Sequence, residues 1–380
     1  MKKLKNKKYG FTLIELLATI VILGLLALIV TPGVAKVIRN SKFNTSKASL
    51  EGYIRELENA SALYMSDTGA YPNSIEDLEL DGKNLDKVSD VDVELENGTV
   101  KKLMARVNEV YCKYEKGKGT ECQENMFIGT NLYYDPVNNV VGCTTYTESN
   151  SASGVVEGCL RWNVLSVEED GTLNLLLDHN ILSGTKWYSS MDNSQGPTVA
   201  VEALNNAIKD TWSANLIRTD SYSHTFNNGT ENKTYEVSYS GMKARLPEAQ
   251  EIVNAVGHDT WNEDTATISS KFYFDSKNQT LTVGYGKEKT ISDYAWLFNN
   301  LNYGSNSNNS SDEKTCLYYG CSQNFGDISG DRGYWTSTAV CGSSLEAWRV
   351  NRAGNFTYTT VSNVYYGVRP VISLNPNIFN

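Results

Sequence analysis

A run of twenty almost entirely apolar residues, 11–30, is the feature that most limits what this chain can become. As an α-helix it would be about 30 Å long, which matches the hydrocarbon thickness of a bilayer. Five lysines and no acid precede it within the first ten residues. A basic segment before an apolar run is typical of an export signal or a membrane anchor. The sequence therefore predicts a transmembrane segment over residues 11–31.

One residue in this run, Glu15, does not fit a simple anchor. An isolated carboxylate in hydrocarbon costs several kcal/mol, so acids in membrane segments are rare and usually paired. A cleaved signal peptide fits no better, because Thr31-Pro32-Gly33 follows the run where a small-x-small cleavage site would stand. Glu15 therefore requires a partner.

The residues around Glu15 resemble the processing motif of type IV pilins and the related pseudopilins. The motif reads Gly10-Phe11-Thr12-Leu13-Ile14-Glu15, follows a short Lys-rich leader and is followed by Pro32. In that family a membrane peptidase cuts after the glycine, and the new N-terminal residue is methylated. The resemblance implies cleavage between Gly10 and Phe11, N-methylation of Phe11, and a helix kink at Pro32.

Cleavage would also explain Glu15 physically. It would create a positive amine on Phe11, about one helical turn from the carboxylate. In a bundle of such helices, Glu15 can pair with the Phe11 amine of a neighbouring subunit, which offsets the cost of burying both charges. We therefore expect Glu15 and Phe11 to act in filament assembly.

Periodicity and turn signals divide the rest of the chain. Apolar residues at 3- and 4-residue steps predict that one helix spans 11–66, with its second half packed on a globular head. Short alternating runs predict a small antiparallel pilin-type sheet within 67–143. The polar stretch 144–158 predicts a linker, and a second module follows at 159–380.

Parts of this second module resemble bacterial C-type-lectin-like domains, a group that includes the formylglycine-generating enzymes. The similar segments are 244–251, 334–338, 347–350 and 367–371. The resemblance implies an α+β domain, so the whole chain is predicted to be α+β. Trp335 and Trp348 fit core packing better than a sugar platform. Arg245 and Arg369 are expected to pair with acids under the loops, with anion capture as the alternative.

The seven cysteines suggest disulfides, because an exported chain reaches an oxidising environment. Free buried thiols or a metal site are the alternatives to disulfides. Cys341 has no obvious partner in the sequence. The candidate pairs are Cys112 with Cys122, Cys143 with Cys159, and Cys316 with Cys321.

No motif predicts an enzyme, a cofactor or a metal. HExxH, a nucleophile elbow and a Gly-rich phosphate loop are all absent from the sequence. The formylglycine-generating enzymes need a reactive cysteine pair, and Cys341 lacks a correctly spaced partner. The alternating acids of 90–96 fit a solvated strand edge better than a calcium loop, and Asp327 and Asp331 are weak metal candidates.

These features predict a minor or tip subunit of the type IV pilin-like class, with a large C-terminal domain for binding or adhesion. The alternatives are a pseudopilin of a secretion or DNA-uptake apparatus and a membrane-tethered enzyme of formylglycine-generating-enzyme-like fold. The expected partners are other pilin subunits, prepilin peptidase, the assembly machinery and a surface, glycan or protein ligand. The net charge of −10 argues against nucleic acid as a partner of the head. We expect the chain to cross the cytoplasmic membrane once before assembly and to reach the cell surface afterwards.

Overall fold

The computed structural model describes residues 13–72, 74–80, 87–108, 110–151, 154–258, 260–274, 294–298, 333–351, 355–375 and 378. Side chains are described from residue 37 onward within these ranges, except at positions 76, 90, 148 and 273. The chain divides into two compact units, Met1–Glu124 and Asn125–Asn380. Helices and antiparallel sheets are both present, and the chain begins with a long helix, which confirms the α+β prediction at this level.

The first unit consists of a long helix and a four-stranded antiparallel sheet. Helix α1 runs from Leu13 to Thr68 and passes through Pro32. The strands, in the spatial order β1-β2-β3-β4, are β1 (Val88–Glu96), β2 (Thr99–Val107), β3 (Val110–Glu115) and β4 (Gly119–Gln123).

The second half of α1 packs on this sheet through the apolar stripe that the sequence predicts. Leu50 and Leu57 are completely buried, and Ile54 and Ala60 lie on the same face. In β2 the sheet contributes the buried side chains of Leu103, Ala105 and Val107, which alternate along the strand as expected where one face covers a core, and Val100 beyond an irregularity in the pairing with β1. Burial of this stripe, worth about 25 cal/mol per Å² of apolar surface, is what holds the helix on the sheet.

Helix α1 ends at Thr68, two residues beyond the predicted end at residue 66. Gly69 has φ +75°, a left-handed conformation that suits glycine, and its N–H donates to the carbonyl of Met65 at 2.9 Å. A glycine in this conformation is a common helix stop, because it satisfies a carbonyl of the last turn.

Among the described residues, none of the helices is both long enough and apolar enough to span a membrane.

The second unit contains three sheets and two α-helices within its described residues. The sheet orders are β15-β8-β7-β5-β6, β11-β14-β13-β12 and β10-β9. The elements are β5 (Asn131–Asp135), β6 (Val140–Val141), β7 (Leu160–Val167), β8 (Leu173–Leu177), α2 (Thr198–Ile208), β9 (Ser221–Asn227), β10 (Asn232–Ser238), α3 (Ala249–Ala255), β11 (Phe272–Tyr273), β12 (Gly333–Ala339), β13 (Glu346–Asn351), β14 (Asn355–Thr360) and β15 (Val371–Leu374).

The boundary between the units differs from the predicted one. Strands β5 and β6 were expected in the pilin-type head within 67–143, but β5 pairs with β7 of the second unit, with Leu132 opposite Trp162. Alternation of apolar and polar residues indicates only that one face of a strand is buried. Which strand it pairs with depends on contacts that are distant in sequence.

The predicted linker 144–158 also belongs to the second unit. The Ser151 hydroxyl donates to Oδ2 of the buried Asp178 at 2.5 Å, and Arg161 Nε donates to the same oxygen at 2.8 Å. The N–H of Gly154 donates to the carbonyl of Asn180. Polar composition suggested a linker here, but these polar groups satisfy a buried carboxylate, so the segment is a structured part of the unit.

Two of the three candidate cysteine pairs are linked in the structure. Cys112 and Cys122 lie directly opposite each other on β3 and β4 and form a disulfide, and Cys143 is bonded to Cys159. Cys316 and Cys321 lie outside the described residues. Cys341 is a free, buried thiol.

Candidate functional site

The residues of the processing motif lie at the margin of the described structure. Gly10 and Phe11 are outside it, and Glu15 and Pro32 are described only as backbone positions of α1. The candidate site whose geometry is defined therefore lies in the second unit.

This site is a cavity of about 1050 Å³ at one end of the β15-β8-β7 sheet. Residues from the β7–β8 hairpin, the segment before β9, the N-terminal end of α3 and β15 line it. The lining is mostly polar and charged, so the cavity is not a gap in the apolar core. The lining residues used below lie in the ranges 166–174, 215–220 and 245–254 and at position 373.

A buried ion pair forms one wall of the cavity. Arg245 and Glu251 make two parallel hydrogen bonds, Nη1 to Oε2 and Nη2 to Oε1, each 2.5 Å long. Glu251 also accepts from the Ser166 hydroxyl at 3.3 Å and from the backbone N–H of Glu248 at 3.0 Å. Burial alone would raise the pKa of Glu251, but the charge and hydrogen bonds of Arg245 hold it below its ordinary value. Glu251 is thus a fixed carboxylate at the start of α3, where the helix dipole also favours negative charge.

Neutral side chains continue the network across the sheet. Asn174 Nδ2 donates to the Ser166 hydroxyl at 3.0 Å and to Glu168 Oε1 at 2.6 Å. The Ser373 hydroxyl donates to Asn174 Oδ1 at 2.5 Å. The wall from Glu251 to Ser373 is therefore one hydrogen-bonded chain, which fixes its side chains before any ligand arrives.

A second arginine closes the network at the edge of the cavity. Arg218 Nη1 donates to Ser373 Oγ at 2.6 Å, and its Nε donates to Asp220 Oδ1 at 2.9 Å. The Asp220 side chain is 44 % exposed, so this pair is far more hydrated than the Arg245–Glu251 pair. Both arginines of the lining are thereby neutralised by carboxylates of the cavity itself.

The cavity has an excess of negative charge. Six carboxylates and two guanidinium groups line it, which gives a net charge of −4 when all are ionised. Burial, followed by the nearby charge of Glu251, raises the pKa of Glu248 to about 7. A cation close to Glu248 would stabilise the ionised form of this carboxyl. The arrangement can therefore bind a positively charged group.

The two arginines that the sequence analysis expected to pair with acids have different partners. Arg245 pairs with an acid, as expected. Arg369 does not: it is completely buried, and its guanidinium donates to the carbonyls of Leu177, Trp296 and Leu297. Five N–H donors on a planar group allow one arginine to satisfy several carbonyls where three chain segments converge. Its role in the described structure is packing, as is that of Trp335 and Trp348, which are both fully buried.

Cys341, the thiol on which an enzymatic interpretation depends, is held in its protonated form. Burial raises the pKa of this thiol to about 11. Its Sγ donates to the backbone carbonyls of Glu263 and Asp264 at 3.4 and 3.0 Å. The thiolate is the nucleophilic form of cysteine, so this buried environment disfavours nucleophilic reactivity of Cys341.

Sequence reasoning missed most of the cavity. One available signal was polarity inside an apolar strand: Asn174 interrupts the run Leu173–Leu177 and yet is only 3 % exposed. A buried polar residue in a strand requires a partner, and such a requirement often marks a site. Nothing in the sequence pointed to Ser373 or Arg218 as those partners.

Comparison with protein families matches residues 5–31 to the prokaryotic N-terminal methylation motif. This match confirms the motif around Gly10, Phe11 and Glu15, and it supports a type IV pilin-like protein that prepilin peptidase processes. Comparisons with curated proteins and with solved structures give no match.

Proposed function

We propose that the protein is a minor type IV pilin-like subunit, positioned at or near a filament tip, whose second unit binds a partner at the cell surface. The observation that carries this proposal is the methylation motif at 5–31, placed at the start of a 56-residue helix. The second unit, 125–380, is about twice as long as the first. A head of that size at every position would crowd a homopolymer, which favours a minor subunit.

The N-terminal segment supplies the steps before assembly in this proposal. The leader 1–10 is removed after Gly10, Phe11 is methylated, and residues 11–31 hold the subunit in the membrane until it joins other pilin subunits. Glu15 then pairs with the Phe11 amine of a neighbour. The motif match supports this sequence of events.

The cavity of the second unit supports a binding role for the head. Its fixed carboxylates and its negative net charge suit a ligand that carries amines or guanidinium groups, such as a basic segment of a partner protein. The motif segments of the C-type-lectin-like resemblance also contact one another: the Ser337 N–H donates to the Pro247 carbonyl, and Arg245 bridges to Val371. We propose that fold for the second unit on this support.

Labelling of intact cells separates this function from that of a pseudopilin. We expect a membrane-impermeant lysine reagent to modify the second unit on living cells, and shearing to release the protein together with surface filaments. The protein should be present in much smaller amounts than the main subunit. A cytoplasmic protein of the same cells serves as the unlabelled control. Protection from the reagent and retention with the cells after shearing would favour the pseudopilin alternative.

The pH dependence of binding tests the cavity. We expect a lysine-rich peptide to bind the detergent-purified full chain about three- to tenfold more tightly at pH 8 than at pH 5.5, measured by fluorescence anisotropy. The reason is that Glu248, whose pKa is raised to about 7 by burial and by Glu251, loses its proton across this range. Arg245 opposes this shift, and Glu263 and Asp220 add to it. The peptide keeps its own charge throughout.

Two matched variants make this measurement specific. Glu248→Gln should remove most of the pH dependence, and Glu236→Gln, on an exposed position of β10, should leave it unchanged. Equal pH dependence in all three proteins, or no binding by the wild type, would contradict a cation site in this cavity.

A further inference from the structure

A second cluster of charged and metal-ligating side chains lies in the same unit, among residues that the cavity does not use. His224 is on β9, and Glu263 and Asp264 follow α3 in the chain. One ligand atom from each residue can be chosen so that all three atoms lie within 4.8 Å of one another. Neighbouring acids are common at protein surfaces, so the meaning of this cluster depends on the histidine.

The imidazole of His224 is buried with an unused nitrogen. The residue is only 1 % exposed, and its Nε2 lies 3.3 Å from the carbonyl oxygen of Ala339. Because a carbonyl only accepts hydrogen bonds, this contact places the proton on Nε2 and leaves a lone pair on Nδ1. Nδ1 is buried, has no hydrogen-bond partner in the described structure, and lies 3.6 Å from Asp264 Oδ1.

Two lone-pair acceptors that face each other without a proton repel. A buried acceptor without a partner is rare in native proteins and calls for a water molecule or an ion. Nδ1 of His224 and Oδ1 of Asp264 are 3.6 Å apart, so a cation between them would satisfy both atoms. This is the observation that distinguishes the cluster from an ordinary acidic patch.

The third carboxylate of the cluster, that of Glu263, is held in place by two hydrogen bonds. Tyr222 and Thr338 donate their hydroxyl hydrogens to Oε2 of Glu263, at 3.1 and 3.2 Å. Both bonds use Oε2, so Oε1 is the oxygen that can coordinate a cation. The Cys341 thiol fixes the backbone behind this carboxylate through the carbonyls of Glu263 and Asp264. Outer-shell hydrogen bonds of this kind orient ligands in metal sites.

We propose that His224, Glu263 and Asp264 form a site for one Zn²⁺ ion. Ligands of a tetrahedral Zn²⁺ at about 2.0–2.2 Å lie roughly 3.4 Å apart, which is close to the observed 3.6 Å between Nδ1 and Oδ1. An imidazole nitrogen with two carboxylates suits Zn²⁺ better than the oxygen-seeking Ca²⁺ or Mg²⁺. The three ligands do not line the cavity, and the proposed function, which rests on the methylation motif, does not depend on them.

The site would join two segments that are distant in sequence. It would tie the stretch after α3 to the β9–β10 hairpin at a position where the Asp264 side chain is 63 % exposed. Three protein ligands leave a fourth tetrahedral position to water or to a donor from another molecule. The ion would thus be accessible to exchange and to chelators.

Titration of the metal-stripped full chain in detergent with Zn²⁺, followed by calorimetry, tests this inference. We expect one Zn²⁺ to bind per chain, and Asp264→Asn to weaken binding at least tenfold. His224→Phe should do the same, and it preserves the ring stacking with Phe226. Glu236→Gln, an exposed acid on the adjacent strand, is the control and should bind as the wild type does.

A spectroscopic readout accompanies the titration. Co²⁺ in place of Zn²⁺ should give visible d–d absorption of a four- or five-coordinate ion in the wild type, and this absorption should be lost in Asp264→Asn. Because Asp264 is exposed, that variant tests the site even if His224→Phe does not fold. Three outcomes would overturn the proposal: no Zn²⁺ binding, unchanged binding in both variants, or binding of Ca²⁺ without Zn²⁺.

Discussion

Replacement of Arg245 by methionine is expected to lower the free energy of unfolding by about 3–5 kcal/mol, the typical cost of removing one partner of a buried ion pair. Arg245 and Glu251 are only 5 % and 13 % exposed. Methionine fills much of the arginine volume, so the loss arises from the Glu251 carboxylate, which remains buried without its two charged hydrogen bonds. Urea unfolding followed by tryptophan fluorescence measures the change.

Two further variants show whether charge is the cause. Arg218→Met makes the same substitution in the same cavity, but its partner Asp220 is 44 % exposed and can be hydrated, so we expect a loss of about 1 kcal/mol or less. Arg245→Met combined with Glu251→Leu should recover much of the stability, because no unpaired charge remains. A loss in Arg245→Met no larger than in Arg218→Met would contradict the account of this wall.

Replacement of Glu15 by alanine is expected to reduce incorporation of the protein into filaments at least tenfold. In the proposed assembly Glu15 compensates the Phe11 amine of a neighbouring subunit, and each charge alone is costly in an apolar helix bundle. The variant should still be processed and should stay in the membrane fraction, since its apolar run becomes more apolar. Quantitative immunoblotting of sheared filaments against membranes measures the ratio.

Glu51→Ala is the matched control for Glu15. It removes a carboxylate from the same helix at a solvent-exposed position and should leave incorporation near the wild-type level. Normal incorporation of Glu15→Ala would contradict the assembly role. An equal loss in both variants would indicate a general effect on the helix instead.

Local signals in the sequence predicted the local structure well. The 3.6-residue stripe in α1 predicted the buried face of the helix, and its predicted range ended within two residues of the observed end. The turn between β7 and β8 is likewise local, because Gly171 adopts a positive φ of +87°, which glycine tolerates without strain. These features depend on residues within one or two turns of one another, so a single sequence contains them.

Features that depend on distant contacts could not be predicted in this way. The partner of β5 is β7 rather than the first sheet, and the polar stretch 144–158 is fixed by Asp178. In the cavity, Arg245 and Glu251 were within reach of sequence reasoning because they are six residues apart. Asn174 and Ser373 are 199 residues apart, and no periodicity reports a contact over that distance.

The same limit applies to the proposed zinc site. His224 and the two acids lie in separate segments, so no ligand spacing in the sequence suggested a metal, and the prediction was for none. The signal arises only when the strand β9 brings a buried imidazole next to a carboxylate.

The chemical identity of the N-terminus tests the central claim most directly. Mass spectrometry of the protein purified from its own cells should show a mature chain that begins at Phe11 with a methylated amine and lacks residues 1–10. A chain that begins at Met1 and carries an unmodified Phe11 would contradict the account, because Glu15 would then have no N-terminal amine of a neighbouring Phe11 to pair with.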